Sequence, residues 1–169
     1  MTQVNPNQSL SQIMSSIDLG PGGGIQLMFA KLQMAQSMIC KDQANDYMKQ
    51  IQDIQEEQKK CADMISKARA LQNDVKSGGV SDMPPDMVKF FNDRGLSFDK
   101  TGNDVKHNKD EWEFNLKSLT NYQEQIGAKT QTLMVYLQDF IGQHNAFLQG
   151  ANTAISNANQ VLTSIARGQ

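Results

Sequence analysis

Few residues in this chain could carry chemistry, and their spacing argues against a catalytic centre. The chain has two cysteines, Cys40 and Cys61, and two histidines, His107 and His144. A thiol nucleophile needs a neighbouring base to take its proton. Neither cysteine has a histidine near it in sequence, so only a fold could supply one. On one continuous helix the two thiols would stand about 31 Å apart, which excludes a bridge between them. Both are expected as free, buried thiols. The acidic run Asp99-Lys100-Thr101-Gly102-Asn103-Asp104 invites comparison with a calcium loop. An EF-hand needs its glycine at the sixth position, after ligands at the first, third and fifth; here glycine comes fourth. No group of His, Cys and carboxylate residues recurs at metal-ligand spacing. The glycine clusters at 22–24 and 78–79 lack the lysine and the strand of a phosphate loop. No catalytic residue, cofactor or metal ligand is expected, and the chain is read as a non-enzyme.

Composition narrows the alternatives. Within 169 residues, 16 basic side chains face 18 acidic ones, which gives neither nucleic acid nor an anionic membrane surface a reason to bind. Aromatic residues make up only 7% of the chain, low for a compact enzyme with a thick core but tolerable for elongated helices. The ten methionines read as adaptable core filler. Residues 1–30 contain no basic residue and one charge, Asp18, so no cleaved Sec signal is expected. No window has the apolar length of a membrane span. A soluble protein is expected, either cytosolic or exported by another route.

Two long helices are what these residues must build. Residues 1–24 are rich in Ser, Gln and Asn and end in a glycine-proline run. They are expected to be flexible, or to form a short helix near 10–17 docked elsewhere. Residues 25–76 read as the first long helix. Its heptad series contains Cys40, Tyr47, Ile54, Cys61, Ala68 and Val75, with Ala44, Ile51 and Ile65 beside it. Residues 77–109 form a connector, in which Pro84-Pro85 opens a miniature helix over 85–92 that is expected to cap one end of the hairpin. Residues 99–111 are turn formers and charges, expected to be exposed and mobile. Residues 110–169 read as the second long helix, with Trp112 as an anchor in its first turn. The fold class is therefore all-α, a long antiparallel helical hairpin of coiled-coil type with a short connector helix.

The second helix carries the most information. Every seventh residue from Trp112 is apolar: Leu119, Ile126, Leu133, Phe140, Phe147, Ala154 and Val161. A companion series includes Leu116, Leu137, His144, Ala151, Ala158 and Ile165; His144 there reads as a hydrogen-bonded interior histidine. From Ile141 a third series joins, with Leu148, Ile155 and Leu162. One two-helix seam uses only two series. Meanwhile residues 140–166 contain no Asp, Glu, Lys or Arg, and offer Gln143, Asn145, Gln149, Asn152 and Asn159 instead. Uncharged polar groups are cheaper to desolvate than ions once hydrogen-bonded. The helix is thus expected to be covered by neighbouring copies of the chain, with those five polar residues as candidates for subunit contacts or a lumen lining.

Three stretches carry a family resemblance: Ile25-Gln26-Leu27-Met28-Phe29-Ala30 with Gln33-Met34-Ala35-Gln36, then the connector run from Met83-Pro84-Pro85-Asp86 through Phe90-Phe91-Asn92-Asp93, and the closing Leu162-Thr163-Ser164-Ile165-Ala166. With this layout the chain resembles the EspA/SseB group of type III secretion proteins, which polymerise into the hollow filament extending the secretion needle. The resemblance implies export from an uncleaved, Ser-rich N-terminus to a bacterial cell-surface appendage, and self-assembly into a helical filament conducting effectors toward a host cell. As partners it implies further copies of the chain, a cytosolic secretion chaperone, the needle protein and the translocator pore proteins. The insert between the helices, about 94–109, is shorter than the outward-facing insert of that group. A non-polymerising needle-tip or translocator-associated adaptor is therefore the second expectation, and an intracellular helical scaffold the third.

Overall fold

In the computed structural model, residues 8–19, 24–75 and 78–168 are described. Helix α1 spans Leu10–Ser16, α2 Ile25–Asp74, α3 Pro85–Asp93 and α4 Lys109–Ala166. Two short strands, β1 at Ser81–Asp82 and β2 at Lys106–His107, pair antiparallel, with a 3₁₀ turn at Thr101–Asn103 before β2. The architecture is all-α, a helical hairpin in which α2 and α4 pack extensively on each other. The expected flexible residues 1–7 and 20–23, and Lys76 at the expected end of the first helix, lie outside the described residues. The chain forms two compact units, one of residues 51–132 and one of residues 1–50 with 133–169.

In the unit of residues 51–132, a third helix completes the core. Pro85 at the first position of α3 needs no N–H partner, and its ring presets the helical φ. The helix stops at Gly95 (φ +63°), where Leu96 N–H donates to Phe91 C=O at 2.8 Å across the left-handed residue. Met87, Phe90 and Phe91 share one face at helical spacing and are buried with Cys61, Ile65, Ala68, Trp112 and Leu119. Lys67 pairs with Asp86 and Glu57 with Arg94, so α3 runs alongside α2 in the opposite direction. The expectation that this helix caps an end of the hairpin is corrected: its apolar face covers a side of the α2–α4 pair.

The connector beyond α3 also differs from expectation. Residues 99–111 are not uniformly exposed, because β2 pairs with β1 and His107 is only 1% exposed. Asn108 caps α4: its Oδ1 accepts from Asp110 and Glu111 N–H at 2.9 and 3.0 Å, while Glu111 Oε2 accepts from Asn108 N–H at 2.8 Å. Behind this cap, Trp112 is fully buried, and its indole N–H donates to Ser81 Oγ at 2.8 Å. Asn115, also fully buried, accepts from Asp99 N–H at 2.7 Å. Burial pushes the His107 imidazole below its usual range, against the pull of the Glu111, Asp99 and Asp104 carboxylates. Charged sequence concealed a folded loop, because two-residue strands and single buried anchors leave no periodic signal.

In the unit of residues 1–50 and 133–169, α1 begins with a capping box. Gln12 N–H donates to Ser9 Oγ, and Ser9 N–H to Gln12 Oε1 at 2.8 Å. Its Ile13, and Ile17 just past its end, are buried with Ala35, against Met34, Met38 and Ile39 of α2. Of the two expectations for this segment, the short helix near 10–17 is the one that forms, and it docks on α2 of its own chain. Ser37 lies opposite His144, and Tyr47 stacks on Phe140 with centroids 5.5 Å apart, so the two long helices run antiparallel here.

One ion pair gives the unit of residues 51–132 a measurable acid response. Both carboxylate oxygens of Glu57 accept from the Arg94 guanidinium, and Tyr122 O–H donates to Oε1 at 2.9 Å. Arg94 also lies 3.7 Å over the Phe90 ring. The Arg94 bonds hold the Glu57 carboxyl below its usual 4.5, outweighing the burial that pushes the other way. A lowered folded-state pKa contributes stability that is present above the unfolded value and lost as pH falls through the folded one. The urea midpoint of the wild type should therefore exceed that of Glu57→Gln at pH 7, and the gap should close below about pH 4. A gap independent of pH would show that the carboxylate charge contributes nothing.

Candidate self-assembly surface

The three apolar series of α4 meet different fates. In the unit of residues 51–132, Ile51 and Ile65 of α2 are buried, as are Leu119 and Ile126, and Ile54 packs against the cluster that holds Ile65, Leu119 and Ile126. Cys61 Sγ donates to the Leu119 carbonyl at 3.4 Å, and burial pushes its thiol up to about 11. Both cysteines are free and buried. These side chains are occupied by the chain's own fold.

Among residues 133–166 the burial thins. Leu133 is buried and Leu137, Phe140 and Phe147 are half-buried. The seam is carried further by small residues, with Ala30 and Ala44 of α2 and Ala151, Ala154 and Ala158 of α4 all buried. Gly150 marks how closely the helices approach, since a Cβ there would stand 2.9 Å from Gln33 Oε1. His144 Nδ1 lies 2.7 Å from Ser37 Oγ and 2.9 Å from the Ser37 carbonyl oxygen, making it the hydrogen-bonded seam histidine anticipated from its position.

The third series is not covered. Ile141, Leu148 and Leu162 are 44%, 39% and 53% exposed, with Ile155 half-buried between them. Val161 and Ile165, which continue the two seam series, are exposed as well. The polar candidates Gln143, Asn145, Gln149, Asn152 and Asn159 are all exposed. Among their contacts, Gln143 donates to Asp139 Oδ2 at 2.8 Å and accepts a 3.7 Å contact from the Cys40 thiol, while the backbone carbonyls of Gln149 and Asn159 accept from Thr153 and Thr163.

Sequence reasoning missed part of this surface. Ile25 (87% exposed), Met28 and Phe29 open α2 with bare apolar side chains, and Met134, Val135 and Tyr136 form another exposed run on α4. Ile25 and Phe29 border a groove of about 550 Å³ floored by Ala146, Gly150 and Ala154 and edged by Gln149 and Asn157. The exposure of the opening of α2 depends on what the fold leaves beside it. No family model, curated protein or solved structure matches the chain.

Burial separates the positions that hold the fold from those that are free to hold a partner. Under conditions that keep the chain monomeric, Leu119→Ala should lower unfolding free energy by about 2–5 kcal/mol, through lost burial and the cavity left behind. Leu148→Asp should change it by less than about 1 kcal/mol. Urea denaturation followed by circular dichroism tests both, and equal losses would mean that Leu148 is covered within the monomer.

Proposed function

We propose that this chain is a secreted structural protein of a type III secretion system, polymerising through the uncovered series of α4 into a hollow filament or needle extension that conducts effectors toward a host cell. The observation that carries the reading is the exposure of Ile141, Leu148 and Leu162 on a stretch without a single charged residue. An exposed helix face normally carries charge, and this one carries Gln, Asn and Ser around an apolar stripe. Polar, uncharged groups can enter a subunit contact or line a lumen without the penalty of burying ions. The sequence resemblance set out above supplies the secretion context. In that context a cytosolic chaperone would cover the same stripe before export.

The occupant proposed for the stripe is a second copy of the chain. Heptad continuity favours it, since the third series keeps the register of the first two and so presents a helix partner with the same seven-residue spacing. Negative-stain electron microscopy, with sedimentation over a concentration series, tests this directly. The wild type should give filaments of uniform diameter, and Leu148→Asp should abolish them while keeping its helix signal. Leu137→Asp is a less selective probe, because Leu137 is already half-buried. Normal filaments from Leu148→Asp would remove the stripe as the interface. Small discrete oligomers of the wild type at every concentration would favour the tip or adaptor reading.

A further inference from the structure

Three side chains from the connector loop, β2 and α4 converge beside the first turn of α4. Asp99 comes from the loop after α3, His107 from β2 and Glu111 from the third position of α4. One ligand atom from each lies within 4.8 Å of the other two. His107 Nδ1 is 4.0 Å from Glu111 Oε2, too long for a hydrogen bond. The His107 side chain is 1% exposed, yet neither ring nitrogen has a hydrogen-bond partner. Asn115, whose Oδ1 holds the Asp99 backbone, likewise keeps a buried Nδ2 without a partner. Orphaned buried polar atoms each carry a desolvation penalty and call for an explanation. A neutral imidazole has one donor and one acceptor nitrogen, and two carboxylates stand beside this one.

We propose that Asp99, His107 and Glu111 bind one divalent transition-metal ion, Zn²⁺ by the character of the donors, which clips the connector to β2 and to the start of α4. One imidazole with two carboxylates suits Zn²⁺, whereas Ca²⁺ and Mg²⁺ prefer all-oxygen shells. Zinc–ligand distances of about 2.0–2.2 Å require each donor to close in by less than about 1 Å. The carboxylates are already oriented from behind: Thr101 N–H donates to Asp99 Oδ1 at 2.8 Å and Asn108 N–H to Glu111 Oε2 at 2.8 Å. Such outer bonds hold ligating carboxylates in place at metal sites. Asp99 and Glu111 are half-buried, so the ion enters from their side, and the fourth position is left for water. The capping role of Glu111 explains its position but leaves the buried histidine without a partner; the ion gives one of the two ring nitrogens a partner.

Trp112, the only tryptophan, lies with its ring centroid 5.1 Å from that of His107 and reports on the site. The full-length chain, stripped with a chelator, is titrated with ZnCl₂ while Trp112 fluorescence and bound zinc per chain are read. One zinc per chain with micromolar or tighter affinity is expected. Asp99→Asn and Glu111→Gln should each weaken binding by about tenfold or more, and Cys40→Ser and Cys61→Ser should leave it unchanged. Both site variants keep the carbonyl oxygen that serves the backbone N–H, and circular dichroism verifies their helix content. Should either lose it, the Co²⁺ absorption of the unaltered chain decides. A ligand field without thiolate charge transfer supports the site, and thiolate bands overturn it. Saturable binding that survives both carboxylate variants, or no binding by about 1 mM, where affinity has fallen to a few kcal/mol, also overturns it.

Discussion

A pair of antiparallel helices can bury only the apolar stripes that face each other. Any broader stripe must find a third surface, and this one requirement organises the chain. In the unit of residues 51–132 the third surface is α3, whose Met87, Phe90 and Phe91 join Cys61, Ile65, Trp112 and Leu119 in a closed core. In the unit of residues 1–50 and 133–169, Ile13 of α1 and Ile17 just after it pack on α2, while Ile141, Leu148 and Leu162 of α4 stay open. The open stripe is where a partner helix gains most from burial, at about 25 cal/mol per Å² of apolar surface removed from water.

Packing chemistry follows the same division. The closed core uses large side chains, with Trp112 and Phe91 fully buried and Arg94 bridging Glu57 and the Phe90 ring. The open unit relies on alanines along the seam and on Gly150 beside Gln33. Small residues bring helix backbones together, but each buries little area. A unit built this way has less to lose from repacking and more to gain from a further copy, consistent with the assembly proposed for it.

Much of the fold was legible because helical information is local. Pro84-Pro85 and Gly95 bracketed α3, and the heptads of α2 and α4 placed Leu119, Ile126, Leu133, Ile51 and Ile65 on the seam where they are buried. The connector was misread for the opposite reason. Its order comes from single contacts between distant residues, such as Trp112 with Ser81 and Asn115 with Asp99, which have no period and are masked by surrounding charges. The histidine-carboxylate cluster escaped likewise, since Asp99, His107 and Glu111 match no ligand spacing until β1 and β2 pair.

By itself the sequence determined the helical class, the seven-residue register, the third apolar series on α4 and the absence of charge along residues 140–166. These follow from side-chain order along one helix, which needs no partner to be read. Only the tertiary structure decided that α2 and α4 pair within the chain, that α3 lies along their side, and that the third series is left bare while Leu119 and Ile126 are enclosed. The reason is physical: periodicity states which face of a helix is apolar, whereas the element that covers the face depends on contacts across many residues of chain.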